Sequence, residues 1–352
     1  MNTKIVKITQ ENLSKEQFAK AAQILKNGGL VAFPTETVYG LGGDGLREDA
    51  AGKIYKAKGR PSDNPLIIHI ADLAMLDQLV REIPETGRRL AEKFWPGPLT
   101  MVFHKSKAVP YGTTGGLDTV AVRMPSHPIA LELIRASQVC IAAPSANASG
   151  RPSPTKASHV FDDLNGKIEM IIDGGSVGIG IESTIVDLTG ELPVILRPGY
   201  ITKRMLEEVV GEVLIDRAIL SRQANPDITP KAPGMKYKHY APKGDMTVVE
   251  GRLPAVIEEI NKRSREAYLL GHTVGVIASG ETKGAYETGI VKVIGSRGDE
   301  ISISKHLYSI LREFDDLGVD VIFSESFDEG DFGPAIMNRL LKAAGYQVIT
   351  CE

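Results

Sequence analysis

Short apolar runs alternate with amphipathic segments along most of the chain, and this alternation limits the folds that it can adopt. Runs such as residues 30–33 and 66–70 have the length of buried strands. Residues 15–27 and 48–58 show helical periodicity, and the first of these segments follows a capping box at 14–17. Alternating strands and helices predict an α/β fold but do not give the order of strands in the sheet.

The pattern continues through two predicted domains. With 352 residues the chain exceeds what one hydrophobic core usually organises. We predict a first domain over residues 1–210 and a smaller α/β domain over 246–352, joined by a proline-containing connector at 211–245. Further predicted strands lie at 101–103, 120–124, 139–143, 170–173, 183–188, 194–197, 273–278 and 321–323, and further helices at 129–137, 203–210, 302–314 and 334–344.

Composition excludes several classes of site. The formal net charge of −3 gives no overall attraction to nucleic acid or to a membrane. Two cysteines do not allow a disulfide framework or a four-cysteine zinc site, and the histidines include no HExxH pair, so no protein metal site is predicted. No apolar run is long enough to span a bilayer, and a reducing, cytoplasmic setting fits.

One glycine-rich segment matches a nucleotide motif by coincidence. Residues 40–45 fit the pattern GxGxxG. In dinucleotide-binding proteins that pattern starts directly at the end of a strand and opens a helix. Here residues 34–39 intervene, so we predict no dinucleotide site, and the chain has no GxxxxGK[ST] phosphate loop.

Candidate binding residues lie in four segments that follow or include predicted strands. They cover 33–42, 55–69, 119–125 and 142–153. Lys58 and Arg60 end a helix next to Gly59 and Pro61, where both side chains are free to converge on a polyphosphate. The alternative is a solvated basic face at a helix C-terminus. Small polar loops such as the one with Ser145 and Asn147 approach anions closely, although simple turn chemistry explains each residue alone.

Arg123 lies inside an apolar strand, and a buried guanidinium needs an anionic partner. The residues leave two alternatives of equal weight. One is an internal salt bridge, and the other is the carboxylate of a small substrate held by two parallel hydrogen bonds.

Together these segments resemble the YrdC-like threonylcarbamoyl-AMP synthase family. The matching motifs are in family order and extend from residue 33 to residue 199, which makes the combination specific. They are PTETVYGLG at 34–42, Lys58 with Arg60, RPSDNPL at 60–66, VAVRMP at 120–125, Ser145 with Asn147, ESTIVD at 182–187 and LRPG at 196–199. The segment 232–242 is similar to the linker of the two-domain form.

The resemblance implies a fold and an activity. The fold is α/β, with a twisted mixed-sheet YrdC-like N-terminal domain and a smaller Rossmann-like C-terminal domain. The activity is synthesis of threonylcarbamoyl-AMP and pyrophosphate from L-threonine, bicarbonate and ATP, for modification of adenosine 37 in tRNAs that read ANN codons. Downstream threonylcarbamoyl-transferase proteins are the implied partners, and weak binding to tRNA is compatible with the site.

The resemblance also implies site residues, none of them a covalent nucleophile. Mg²⁺ is expected on the phosphates of ATP. The residues expected at ATP are Lys58, Arg60, Asn64, Thr119, Ser145, Asn147, Ser153, Arg197 and Tyr237. Those expected around threonine are Thr37, His69, Arg123, Ala143 and Ser183.

Two other function classes remain alternatives at this point. One is a carbamoyl transferase of the hydrogenase-maturation type, which would be accompanied by cysteine-rich zinc fingers. The other is an RNA-binding regulatory module, since a basic concave surface suits RNA as well as ATP. Two cysteines argue against the first class, and Arg123 inside an apolar strand argues against the second.

The connector is predicted to be a lid over the active site. Its centre at 235–240, MKYKHY, is more aromatic and basic than an inert linker. Tyr237 would lie near ATP, and Lys236 or His239 near the phosphates. The alternative is that these aromatic residues, Tyr240 in particular, pack against the first domain.

Overall fold

The computed structural model describes residues 2–10, 13–220 and 239–352. The backbone of these residues forms two compact units. The first contains residues 2–10, 13–149 and 153–220, and the second contains 150–152 and 239–352. The predicted connector lies in part at 221–238, outside the described residues, and so do Lys236 and Tyr237.

The first unit is built on one mixed sheet. In chain order its strands are β1 (Lys4–Lys7), β2 (Val31–Pro34), β3 (Tyr39–Asp44), β4 (Ile67–His69), β5 (Leu99–His104), β6 (Thr119–Arg123), β7 (Ile141–Ala142), β8 (Met170–Asp173), β9 (Thr184–Asp187), β10 (Val194–Arg197) and β11 (Leu214–Ile215). They lie in the order β1-β8-β2-β3-β7-β4-β6-β5-β9-β10-β11. Parallel and antiparallel neighbours are mixed: β4 and β6 are parallel, whereas β5 and β6 are antiparallel.

Helices pack on the sheet of the first unit. They are α1 (Lys15–Lys26), α2 (Ala50–Lys58), α3 (Ala74–Asp77), α4 (Glu85–Phe94), α5 (Tyr111–Thr114), α6 (Pro128–Ser137), α7 (Ala157–Leu164), α8 (Lys203–Val210) and α9 (Arg217–Leu220). The predicted capping box opens α1, where the backbone N–H of Ser14 donates to Oε1 of Gln17 at 3.1 Å. β11 pairs in parallel with β10, so the first unit continues beyond residue 210.

Strand alternation places the core of the first unit on both faces of the sheet. Val31 and Phe33 of β2 join one cluster, which includes Phe18 of α1 and Leu133 of α6. Ala32 belongs to a larger cluster on the opposite face. The strands are therefore buried on both sides, which explains why they are continuous apolar runs in the sequence.

The glycine-rich segment that matches GxGxxG is a strand. Residues 39–44 form β3, which pairs antiparallel with β2, and no helix starts there. Gly42 is needed for packing, because a Cβ atom at this position would lie 2.6 Å from Cγ2 of Ile141. The prediction that this is not a dinucleotide motif is confirmed, but the strand itself was not predicted because glycine normally weakens strands.

The second unit is a parallel α/β domain. Its strands are β12 (Asp245–Glu250), β13 (Val274–Ser279), β14 (Ile290–Gly295), β15 (Val321–Glu325) and β16 (Val348–Thr350), and its helices are α10 (Leu253–Leu269), α11 (Glu300–Asp316) and α12 (Gly333–Ala343). The strand order is β14-β13-β15-β12-β16, with every pair parallel. This differs from the 3-2-1-4-5-6 order of the dinucleotide-binding fold, so the likeness to that fold is the alternation of parallel strands and helices.

Tyr240 is described in the second unit. Its ring lies 5.1 Å from the ring of Tyr308 in α11, measured between centroids, and 5.6 Å from that of His239. Tyr240 therefore packs on α11 within the second unit. None of the described helices is both long and apolar enough to cross a membrane.

Candidate active site

Three neighbouring strands bring the predicted threonine residues together. His69 at the end of β4 is in register with Arg123 at the end of β6, and Arg123 is also opposite Thr100 of β5. The turn between β2 and β3 adds Thr37, whose Oγ1 accepts a hydrogen bond from Nη1 of Arg123 at 2.9 Å. Ala143 follows β7, and its backbone N–H donates to the carbonyl of Ile67 at 2.8 Å.

Arg123 is buried and has a carboxylate partner. Its side chain is 4% exposed, and Nη2 lies 2.7 Å from Oε1 of Glu36, whose side chain is 13% exposed. Burial is the largest single influence on Glu36 and raises its pKa. The charge and contact of Arg123, together with the backbone N–H groups of Glu36 and Ser126, hold that pKa below its usual range. The internal salt bridge that the sequence left as one alternative is thus present, and Glu36 is a site residue that the sequence analysis missed.

His69 is neutral at physiological pH. Its Nδ1 lies 3.1 Å from the carbonyl oxygen of Ile67, and its ring contacts Phe33 edge to face. Burial and the nearby charge of Arg123 lower the pKa of His69 to about 3. The imidazole can therefore orient a polar ligand without adding a second positive charge beside Arg123.

Ser183 links the residues predicted at threonine to Arg197, which is predicted at ATP. Its hydroxyl shares a 2.7 Å hydrogen bond with the hydroxyl of Thr100. The guanidinium of Arg197, at the end of β10, donates from Nη2 to the hydroxyl of Ser183 at 3.2 Å and to its carbonyl at 3.0 Å. Thr100 was not predicted, although alternation along β5 and its position opposite Arg123 place it in the same group.

The ammonium of Lys58 anchors the loop of Ser145 and Asn147. Nζ donates to the carbonyl of Ser145 at 2.6 Å, to the carbonyl of Asn147, and to Oδ1 of Asn147 at 3.3 Å. Lys58 is only 4% exposed. These contacts fix the shape of the loop that follows β7, and the predicted role of Lys58 at a polyphosphate stays a prediction.

The N-terminal ends of β4 and β6, opposite the ends that carry His69 and Arg123, are close to three predicted ATP residues: Arg60, Asn64 and Thr119. Nη2 of Arg60 donates to the carbonyl of Pro65 at 3.3 Å. Asn64 is buried, and its Oδ1 has no hydrogen-bond partner within the described part of the chain. Thr119 is four residues before Arg123 on the same face of β6, so their Cα atoms are about 13 Å apart.

Ser153 is connected to the Ser183 region by a hydrogen bond to Glu182. The hydroxyl of Ser153 donates to Oε1 of Glu182 at 2.5 Å, and both residues are buried. Glu182 directly precedes Ser183 and was not predicted as a site residue. The structure therefore brings the described candidates to one sheet, while Tyr237 lies outside the described residues.

The site offers cationic side chains, hydroxyl groups and backbone polar groups to a ligand, and it favours no activated nucleophile. Burial raises the pKa of the Cys140 thiol to about 12, so its reactive thiolate is suppressed. No group of three or more His, Cys, Asp or Glu that could hold a metal ion occurs among residues 2–10, 13–220 and 239–352. The fold and site define an α/β protein suited to positioning and neutralising polar, anionic ligands.

Comparisons with known proteins give the particular family. Residues 23–199 match a protein-family model described as telomere recombination, and residues 201–345 match the threonylcarbamoyl-AMP synthase C-terminal domain. The chain is 51% identical to the threonylcarbamoyl-AMP synthase of Pyrococcus abyssi, with 97% of each protein covered. It is 47% identical to that of Bacillus subtilis, covering 99% of this chain and 100% of the relative. The chain belongs to the threonylcarbamoyl-AMP synthase family.

A solved structure supports the same conclusion. P. abyssi Sua5 complexed with L-threonine superimposes with a TM-score of 0.93 at 48% identity, covering 99% of this chain and all of the other. The fold implied by the motifs, a YrdC-like first domain followed by a smaller α/β domain, is therefore confirmed.

Proposed function

We propose that this chain is an L-threonylcarbamoyladenylate synthase. It joins L-threonine, bicarbonate and ATP into threonylcarbamoyl-AMP and releases pyrophosphate. The observation that carries the proposal is the position of Ser183, which contacts Thr100 next to Arg123 on one side and Arg197 on the other. An amino acid and a nucleotide bound at these two arginines would meet at Ser183.

The threonine half of the site uses Arg123, Thr37, His69, Ala143 and Ser183. Arg123 binds the carboxylate, because its buried guanidinium offers the fork geometry that carboxylates prefer. Thr37 and Ser183 supply hydroxyl groups close to it, and neutral His69 completes the polar wall. Such a pocket favours a substrate whose side chain carries its own hydroxyl.

The ATP half extends along the sheet from Arg197 toward Thr119. Arg60, Asn64, Ser153 and Arg197 contact the nucleotide, and Lys58 holds the loop of Ser145 and Asn147 against it. The unpartnered Oδ1 of buried Asn64 supports a ligand that donates a hydrogen bond there, within the limits of the described residues. The distance of about 13 Å between Thr119 and Arg123 leaves room for a nucleoside and its phosphates.

Adenylate transfer requires that the two reactants are positioned and that the phosphate charge is neutralised, more than it requires a protein nucleophile. The carbamate oxygen of N-carboxythreonine attacks the α-phosphate of ATP, and pyrophosphate leaves. Mg²⁺ enters with the phosphates and neutralises their charge. The product passes to threonylcarbamoyl-transferase proteins that modify adenosine 37 of tRNA, with weak tRNA binding by this chain itself, in the cytoplasm.

Residues 211–220 of the predicted connector at 211–245 belong to the first unit, and the centre of the connector at 235–240 is proposed as a lid. A carbamate and an acyl-adenylate both decompose in water, so a segment that covers them protects the product. Tyr237 would contact ATP, with Lys236 or His239 close to the phosphates. The aromatic and basic composition of 235–240 supports this role.

Pyrophosphate release tests the function directly. We expect release from ATP that needs Mg²⁺, threonine and bicarbonate together, with valine turned over about 10⁴-fold less efficiently because it leaves the hydroxyl partners of the site unpaired. Serine should also be a poor substrate. Release without bicarbonate, or equal turnover of valine and threonine, would rule this function out.

A further inference from the structure

Glu36 is a buried carboxylate with an incomplete set of partners. It lies in the turn between β2 and β3, and its Oε1 is 2.7 Å from Nη2 of Arg123. Within the described residues, neither of its oxygens nor Nη2 has a hydrogen bond of full geometry, although the backbone N–H groups of Glu36 and Ser126 lie close enough to lower its pKa. A buried ion pair without well-aligned hydrogen bonds raises the free energy of the folded state. A polar ligand that supplies such hydrogen bonds would therefore be stabilised at this pair.

Arg123 does not depend on Glu36 for its orientation. Its Nη1 donates to Thr37 at 2.9 Å, and its Nε donates to the carbonyl of Gly97 at 3.3 Å. If the carboxylate of Glu36 moves away, the guanidinium therefore stays in place. Two histidines, His69 and His127, also interact electrostatically with Glu36. Burial lowers the pKa of both imidazoles and favours their neutral forms.

We propose that Glu36 receives the α-ammonium group of threonine and accepts the proton that this group must lose. The inference rests on the proposed function and adds a catalytic residue to it. A zwitterionic amino acid carries a carboxylate and an ammonium group on the same carbon atom. Its carboxylate replaces Glu36 at Arg123, and its ammonium group then faces Glu36, so both buried charges keep an opposite partner.

A proton passes from the threonine nitrogen to an oxygen of Glu36, which leaves a neutral amine and a protonated carboxyl group. The nitrogen lone pair forms a bond to the carbon of bicarbonate, the bond from that carbon to its hydroxyl breaks, and the hydroxyl leaves as water with a second proton from the amine. The product is N-carboxythreonine, and Glu36 returns its proton to solvent before the next cycle.

Substrate binding would also make Glu36 a stronger base. Burial raises the pKa of Glu36, and the charge of Arg123 lowers it. When the threonine carboxylate neutralises Arg123, the lowering effect weakens while burial persists, so the proton affinity of Glu36 rises with the substrate in place. The empty site keeps Glu36 ionised, and the occupied site prepares it to accept a proton.

The test uses Glu36→Gln in the full chain, which keeps the shape and removes the charge. We expect pyrophosphate release from threonine, bicarbonate and ATP at pH 7 to fall by a factor on the order of 10² or more. The deficit should shrink as the pH rises toward 9, where solution supplies more unprotonated threonine. The reverse reaction, synthesis of ATP from threonylcarbamoyl-AMP and pyrophosphate, needs no deprotonation of an amine and should stay within a few-fold of wild type.

Glu207→Gln is the matched control. Glu207 forms an exposed pair with Lys203 on α8, and its loss should change neither direction at any pH. Equal loss of the forward and reverse reactions in Glu36→Gln, or a forward deficit that does not vary with pH, would overturn the proposal, as would full forward activity. Failure of the proposed function itself would be distinct, because wild type would then release no pyrophosphate.

Discussion

Burial decides the charge of individual side chains in the candidate site. His69 is 4% exposed, and its pKa is lowered to about 3, so it is uncharged where an ordinary histidine begins to titrate. The carboxylate oxygens of Glu36 are buried as well, but there Arg123 and nearby backbone N–H groups together outweigh burial and the carboxyl group stays ionised. The positive charge of Arg123 thus keeps the neighbouring Glu36 ionised and disfavours a second positive charge on His69.

This charge state predicts how stability depends on pH. A histidine whose pKa falls on folding binds fewer protons in the folded state, so the free energy of unfolding decreases as the pH falls from about 6.5 toward about 3. Between pH 7 and pH 5 the uptake of a proton by His69 on unfolding lowers the free energy of unfolding by about 2 kcal/mol. His69→Gln should lose that part of the slope in denaturant titrations of the ligand-free protein.

His104→Gln is the control, because His104 lies in the same unit with an exposed side chain. This variant should keep the slope of wild type. If His69→Gln and wild type lose stability equally between pH 7 and pH 5, His69 is protonated in the folded protein and the account of its neutral state is wrong.

At the scale of elements, the junction of β9 and β10 holds the two halves of the site together. Gly199 follows β10 and packs against the backbone that carries Ser183. A Cβ atom at this position would lie 2.5 Å from the backbone nitrogen of Thr184 and 2.6 Å from the carbonyl oxygen of Glu182. No side chain fits there without moving the backbone of 182–184.

Gly199→Ala should therefore displace Ser183 from both Thr100 and Arg197. We expect a loss of about 1–3 kcal/mol in unfolding free energy and weaker binding of threonine and ATP together. Gly190→Ala is the matched control, since the nearest atom to its Cβ would be 3.9 Å away. Thermal unfolding and calorimetric titration of the two variants compare them, and indistinguishable results would show that the close approach has no consequence.

The elements also show what the sequence predicts and what it does not. Apolar runs such as 170–173 became strands at the predicted residues, because burial on both faces leaves a clear signal. β3 was missed, since its glycines satisfy packing against Ile141 rather than strand propensity. The ion pair of Glu36 and Arg123 joins two segments distant in sequence, and only the order of strands in the sheet brings them together.

At the scale of the whole molecule, the described residues predicted at threonine and at ATP belong to the first unit, and His239 of the connector belongs to the second. Their motifs extend from residue 33 to residue 199, and the order of strands, which the sequence does not give, brings those motifs to adjacent strands. The role of the connector as a lid remains a prediction, with Tyr237 outside the described residues.

On the proposed function, one sheet holds two separate anion sites, one for threonine at Arg123 and one for ATP around Arg60. Calorimetric titration of each ligand into Arg123→Ala and Arg60→Ala tests it, with thermal unfolding recorded for both variants. Arg123→Ala should lose roughly 2–5 kcal/mol of threonine binding and keep ATP binding, and Arg60→Ala should do the reverse. If Arg123→Ala instead lowers the unfolding temperature and leaves both ligand affinities unchanged, Arg123 serves only its salt bridge with Glu36 and the account is contradicted.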